Sequence, residues 1–125
     1  MCGDVKFEVE LDWSQGSRCN CTLCTKVGGV GSLVKPAAFE LLSDETELAS
    51  FTRTPEIGVR FFCKRCHVYC FGRGRLEMLG GDFVTVNLSC LEGFDVSQTQ
   101  LIHWDGRHDN WQAGPRPTPW PIHAH

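Results

Sequence analysis

A chain of 125 residues, 42% apolar and 22% charged, suits one globular domain and has neither a disordered nor a fibrous composition. Its formal charge of −3 argues against a protein that coats nucleic acid or an anionic membrane over its whole surface. No apolar run approaches the ~20 residues of a membrane-spanning helix, and the opening residues lack the pattern of a secretory leader, so the expectation is a cytoplasmic protein with no membrane partner.

Val5 to Leu11 alternates apolar and charged residues, which predicts a strand with one buried face. Ser14-Gln15-Gly16-Ser17 reads as a turn into the first cysteine cluster. Gly28, Gly29 and Gly31 then permit tight backbone approach, and a strand is expected to resume from Gly31 to Val34. Pro36 opens a short element through Phe39, Leu41 and Leu42. Leu48 to Thr52 and Ile57 to Phe62 read as strands split by a turn at Thr54-Pro55-Glu56, and Val68 to Gly72, Leu76 to Leu79 and Phe83 to Leu88 as further short strands, with Gly80-Gly81 the clearest turn. From Asp105 onward Pro115, Pro117, Pro119 and Pro121 join Gly, Trp and His without helical or strand period. Trp104, Trp111 and Trp120 are costly to leave in water, so residues 105–125 are expected to pack over the sheet as part of one domain spanning residues 1–125. The fold class read from this pattern is mostly β.

Eight cysteines in a reducing compartment point to metal or catalysis rather than to disulfides. Cys19-Asn20-Cys21-Thr22-Leu23-Cys24 is too cramped for ordinary disulfides and suits a loop folding around one cation. Zinc accepts thiolates tetrahedrally, and three protein ligands leave one corner for water or substrate. Three thiolates around a dication give a net charge of about −1, a weaker Lewis acid than a three-histidine site and one suited to holding an incoming thiol as thiolate. A closed, purely structural site is the alternative. Cys63-Lys64-Arg65-Cys66 has zinc-knuckle spacing after an apparent strand. A redox Cys-x-x-Cys would instead open a helix within a βαβ unit, a context this segment lacks.

Taken together, these motifs resemble the glutathione-dependent formaldehyde-activating (GFA) family, which includes the centromere protein V domain. The residues carrying the resemblance are Cys2-Gly3-Asp4-Val5-Lys6-Phe7, Cys19 to Cys24, Phe62 to Cys66, Val86-Asn87-Leu88-Ser89-Cys90-Leu91-Glu92-Gly93 and the segment Asp105 to Arg116. The resemblance implies a zinc-stabilised β-tent of short antiparallel strands. It also implies two zinc ions, a structural one on Cys2, Cys63 and Cys66 and a functional one on Cys19, Cys21 and Cys24. The implied reaction joins glutathione to formaldehyde as a carbon–sulfur lyase of the S-(hydroxymethyl)glutathione synthase type. Two departures stand out. The family's first cysteine would fall one residue before Met1, so the outer zinc is one ligand short, and either the chain is trimmed there or a substitute completes the tetrahedron. Cys70 is the first candidate substitute, ahead of His67, the N-terminal amine and water. His67 also stands where the family usually has glycine.

Cys90 reads as a small core residue. Arg107 is a candidate carboxylate fork, or else pairs with Asp105 or Asp109. Asn110 is a candidate polar contact, and Trp111, with Trp104, a candidate wall near the metal or a core residue. His103, His108, His123 and His125 read as exposed, His108 being the strongest candidate ligand or acid–base group among them. The leading hypothesis is a zinc enzyme in which a thiol such as glutathione meets the open corner of the inner zinc and attacks a small aldehyde. Lys26, Arg73 or Arg107 would then hold the thiol's carboxylates. The rival is a non-catalytic zinc module that contacts protein or nucleic acid through Arg53, Arg60, Lys64, Arg65, Arg73 and Arg75.

Overall fold

A computed structural model describes residues 2–53, 55 and 57–123. Thr54 and Glu56 of the expected turn, the N-terminal amine and His125 lie outside the described residues.

The chain forms one mostly β domain. Its strands are β1 (Phe7–Val9), β2 (Gln15–Cys19), β3 (Gly31–Val34), β4 (Phe39–Leu41), β5 (Leu48–Phe51), β6 (Gly58–Cys63), β7 (Tyr69–Leu76), β8 (Gly81–Asn87) and β9 (Gln100–Trp104). One short helix, α1 (Thr22–Val27), and several single 3-10 turns complete it. β1 and β4 make a two-stranded sheet, and the others a seven-stranded sheet in the order β5-β6-β7-β8-β3-β2-β9. No helix among the described residues is long and apolar enough to cross a membrane.

The apolar positions of β1 and β4 turn onto one face of the large sheet. There Phe7, Phe39 and Phe61 surround the fully buried Phe71, with ring centroids 4.7–6.0 Å apart. Val84 and Val86 complete this core. Burying such aromatic side chains supplies the main driving force of a small sheet domain.

A bulge in β7 separates the two faces. Phe61 pairs with Phe71 and Phe62 with Tyr69, leaving Cys70 as the extra residue. Adjacent residues of β6 face opposite sides, so the bulge sends Tyr69 and Phe71 to opposite sides too. Phe71 enters the core, while Tyr69 joins Phe62 on the other face, 5.5 Å between ring centroids. Arg60, paired with Gly72, shares that second face.

The structure departs from the sequence expectation in four elements. Gln15 to Cys19 is a strand, not a turn. Leu76 to Leu79 is the end of β7 followed by a 3-10 turn, and β7 runs unbroken through Gly72 and Gly74. β9 lies in a stretch where the sequence pattern marks no strand, and it pairs with β2 in parallel, Gln15 opposite Gln100 through Cys19 opposite Trp104. The strands are therefore not all antiparallel. The segment beyond β9 lies along that edge: His103 bridges to Arg116, Trp120 Nε1 donates to His103 O at 2.8 Å, and the Arg116 guanidinium stacks 3.8 Å from the Trp120 ring.

Candidate metal centres

The parallel pairing of β2 and β9 brings two strand ends to the same place. Cys19 closes β2 and Trp104 closes β9 directly opposite it, so the loop 20–24 and the segment 105–111 leave the sheet side by side. Cys21 caps α1, its sulfur accepting from the Cys24 N–H at 3.3 Å, and Gly28 ends the helix at φ 73° with its N–H donating to Cys24 O at 2.9 Å. The Cys21 N–H donates in turn to the Cys19 sulfur at 3.5 Å. The Sγ atoms of Cys19, Cys21 and Cys24, all half-buried, lie within 4.8 Å of one another. Tetrahedral zinc with bonds of about 2.3 Å sets its sulfurs ~3.8 Å apart, so this donor set fits that ion.

Among the three thiols, hydrogen bonds from Cys19 and then Cys24 push Cys21 down, while Cys24, as partner to Cys19 and Cys21, is pushed up. The positive charges of Arg53, acting on Cys21, and Arg60, acting on Cys24, favour the thiolate forms. Arg60 reaches the cluster directly, Nη2 donating to the Cys24 sulfur at 3.1 Å.

Behind the loop lies Asp105, 5% exposed. Its Oδ1 accepts from Asn20 Nδ2 at 2.8 Å and pairs with His108 Nδ1 at 2.8 Å, and its Oδ2 accepts from Asn110 Nδ2 at 3.4 Å. The Asn20 amide, followed by His108 and Asn110, holds the carboxyl below its ordinary range. Asn20 also receives the Arg107 backbone N–H on Oδ1 at 3.0 Å and Arg107 Nε on its carbonyl at 2.8 Å. Arg107 thus braces the cysteine loop through Asn20 rather than pairing with Asp105 or Asp109. Asn110 belongs to the same brace. Trp111 stands 6.0 Å from Trp104, ring to ring. A side chain on Gly106 would lie 2.5 Å from the Cys19 sulfur and 2.7 Å from the Trp111 ring. Only glycine fits in the space between that sulfur and that ring.

The outer group gathers Cys2, Cys63 and Cys66 within the same 4.8 Å limit, and the sulfurs of Cys2 and Cys63 are 3.5 Å apart. Cys63 ends β6 and is buried, Cys66 sits in the following turn, and Cys2 is exposed. The N–H groups of Val68 and Cys2 bring the Cys66 thiol down to about 6. His67 closes the turn at φ 63°, in the left-handed region, its N–H donating to Cys63 O at 2.9 Å. Cys70, expected as the replacement ligand, stands outside this group: as the extra residue of the bulge it turns inward and donates to Val68 O at 3.3 Å. Cys90 is directed at Tyr69 O, 3.2 Å away.

The basic residues of 53–75 are dispersed. Arg60 meets Cys24; Arg73, on the core face, packs 5.5 Å from Phe71 and 5.8 Å from Phe39; Arg75 pairs with Asp82 and Arg65 with Asp4. Arg73 therefore lies on the opposite face of the sheet from Arg60 and Cys24.

Asn20, Asp105, Gly106, Arg60 and Tyr69 join the site without having been marked for it by sequence pattern. Asn20 carries a signal, since it is enclosed by two cysteines of the loop. Arg60 is visible in the sequence only as one charge in a basic run.

A mostly β domain with two cysteine clusters that could hold metal ions defines the class. Residues 1–105 match the glutathione-dependent formaldehyde-activating enzyme family, and the chain belongs to that family. A protein of Emericella nidulans named "Putative glutathione-dependent formaldehyde-activating enzyme" is 32% identical over 96 residues, covering 70% of this chain and 48% of its own length. The chain thus spans about half the length of that curated relative. A solved structure of a Rhodobacter sphaeroides protein agrees with TM-score 0.64 at 23% identity over 75% of this chain and 85% of its own, a likeness of fold.

Proposed function

We propose that this protein joins a thiol, glutathione in the reading the family favours, to a small aldehyde such as formaldehyde. The inner cysteines Cys19, Cys21 and Cys24 would hold a zinc ion with one position open, and Cys2, Cys63 and Cys66 a structural zinc. The observation that carries the reading is the convergence of three half-buried sulfurs on one loop, braced from behind by a buried carboxylate and walled by Trp111. Zinc bound there would supply a positive charge that favours the thiolate form of an incoming thiol.

The chain's own residues would do the remaining work. Asp105, through Asn20, fixes the loop carrying Cys19 and Cys21, and Trp104 stands opposite Cys19 where the two strands end. Sulfur adds to the carbonyl carbon, the C=O π pair moves to oxygen, and a proton reaches that oxygen to leave an S-hydroxymethyl adduct. His108, oriented by Asp105 through Nδ1, is the candidate carrier of that proton through its other ring nitrogen. A cytoplasmic location fits this thiol chemistry.

The non-catalytic reading gains less support, because the basic residues it needs are divided between the two faces of the sheet and partly paired. Metal content and thiol–aldehyde turnover of Cys24→Ser test the proposal. The expected result is loss of one metal equivalent together with turnover; full retention of both would sink it.

A further inference from the structure

Three thiolates and a divalent cation carry a formal charge of −1, and an incoming thiolate adds another. Unless something offsets it, this charge works against the entry the proposed reaction requires. Arg60 is placed to offset it. Its Nη2 donates to the Cys24 sulfur at 3.1 Å, and its guanidinium carbon stands 5.2 Å from the centre of the Tyr69 ring.

This placement is built into the sheet. Arg60 sits on β6 between Phe51 of β5 and Gly72 of β7, so its backbone is fixed by neighbours on both sides. Tyr69 is fixed as well: the β7 bulge turns it to this face, and Asn87 Nδ2 donates to its carbonyl at 2.9 Å. Gly72 leaves room beside them, since a Cβ there would stand 2.9 Å from Thr85 Cγ2, 3.0 Å from Val59 O and 3.6 Å from Tyr69 Oη. Arginine suits the position because its charge is permanent and its planar group both stacks on a ring and donates to sulfur.

We propose that Arg60 is a positioning residue of the inner centre, lowering its excess negative charge so that an anionic thiolate can enter beside Cys24. The assignment rests on the reading of Cys19, Cys21 and Cys24 as a thiol-accepting zinc centre. A purely structural Arg60 would hold the loop without altering affinity for a fourth sulfur.

The test uses the full chain loaded with cobalt in place of zinc and titrated with 2-mercaptoethanol, followed by the sulfur-to-cobalt charge-transfer absorption. Arg60→Met is expected to keep its cobalt and bind the probe roughly tenfold more weakly, whereas Arg60→Lys, which retains the charge, stays within about threefold of the parent. Probe affinity unchanged in Arg60→Met overturns the assignment. Should that variant fail to fold, Arg60→Gln takes its place, and unchanged probe affinity there overturns the assignment equally. A parent spectrum that Cys24→Ser leaves unaltered overturns the zinc reading and the assignment with it. A Cys24-dependent spectrum that Arg60→Met leaves unaltered overturns the assignment alone.

Discussion

Cys63 is 2% exposed and Cys2 lies at the surface, whereas Cys19, Cys21 and Cys24 are all half-buried. The outer group draws its members from the chain start and from the β6–β7 connection, so a metal there would tie segments 61 positions apart. The inner group draws all its sulfurs from one six-residue loop and adds no such tie. Its neighbours are instead a buried carboxylate, an arginine and two tryptophans. In the proposed reading, similar donors in different settings suit different tasks: the outer set would fasten the fold, the inner set would exchange a ligand.

The contrast can be broken by mutating each group in turn. The largest effect is expected from Cys24→Ser, which should lower thiol–aldehyde turnover by roughly a hundredfold or more while moving the melting temperature little; steady-state kinetics beside thermal melts decide it. Cys63→Ser should do the opposite, removing about 3 kcal/mol of stability, or ~10 °C, with metal content falling by one equivalent. If both variants lose stability alike, the division of labour is wrong.

Gly106→Ala should cost turnover about tenfold or more by forcing apart Cys19 and Trp111, whose atoms a methyl group would meet at 2.5 and 2.7 Å. Asp105→Asn removes the charge behind the loop and should reduce metal affinity roughly tenfold, measurable by chelator competition. Its pH signature is specific. The Asp105 carboxyl titrates lower in the folded protein than its ordinary value, chiefly through Asn20. Its contribution to stability is therefore complete above the unfolded-state value of about 3.9 and is lost as pH falls through the depressed folded-state value. Melts of the variant from neutral to acid pH should lack that component. The smallest effect should come from His67→Gly, which relieves a left-handed backbone at φ 63° and should stabilise by about 0.5–1 kcal/mol if the turn is otherwise unchanged; denaturant midpoints would reveal the sign.

Much of this arrangement is legible in the residues. The inner cysteine group and the Cys63/Cys66 pair follow from local spacing, whereas Cys2, 61 positions from Cys63, is assigned by the family resemblance; β3 appears with its expected bounds because apolar residues and glycines mark it plainly. β2 is hidden because Gln15, Gly16 and Ser17 carry turn chemistry, and only its pairing with a strand far along the chain makes it extended. β9 has the apolar Leu101, Ile102 and Trp104 but no flanking turn signal beyond Thr99. The role of Asp105 could not be read locally, because its partner Asn20 lies 85 positions away. Arg73 and Arg60 look equivalent in sequence. The bulge at Cys70 and the pairing register decide that one packs on phenylalanines and the other on a cysteine.

The parallel union of β2 with β9 also bears on the order in which the protein can become itself. The inner cysteines leave the ribosome ahead of Asp105, Gly106 and Trp111, since Asp105 follows its partner Asn20 by 85 positions, and joining distant segments is the slow part of folding. A nascent chain would therefore carry its cysteine loop well before the surroundings that brace it, so any ion taken up there early would meet the bare thiols first.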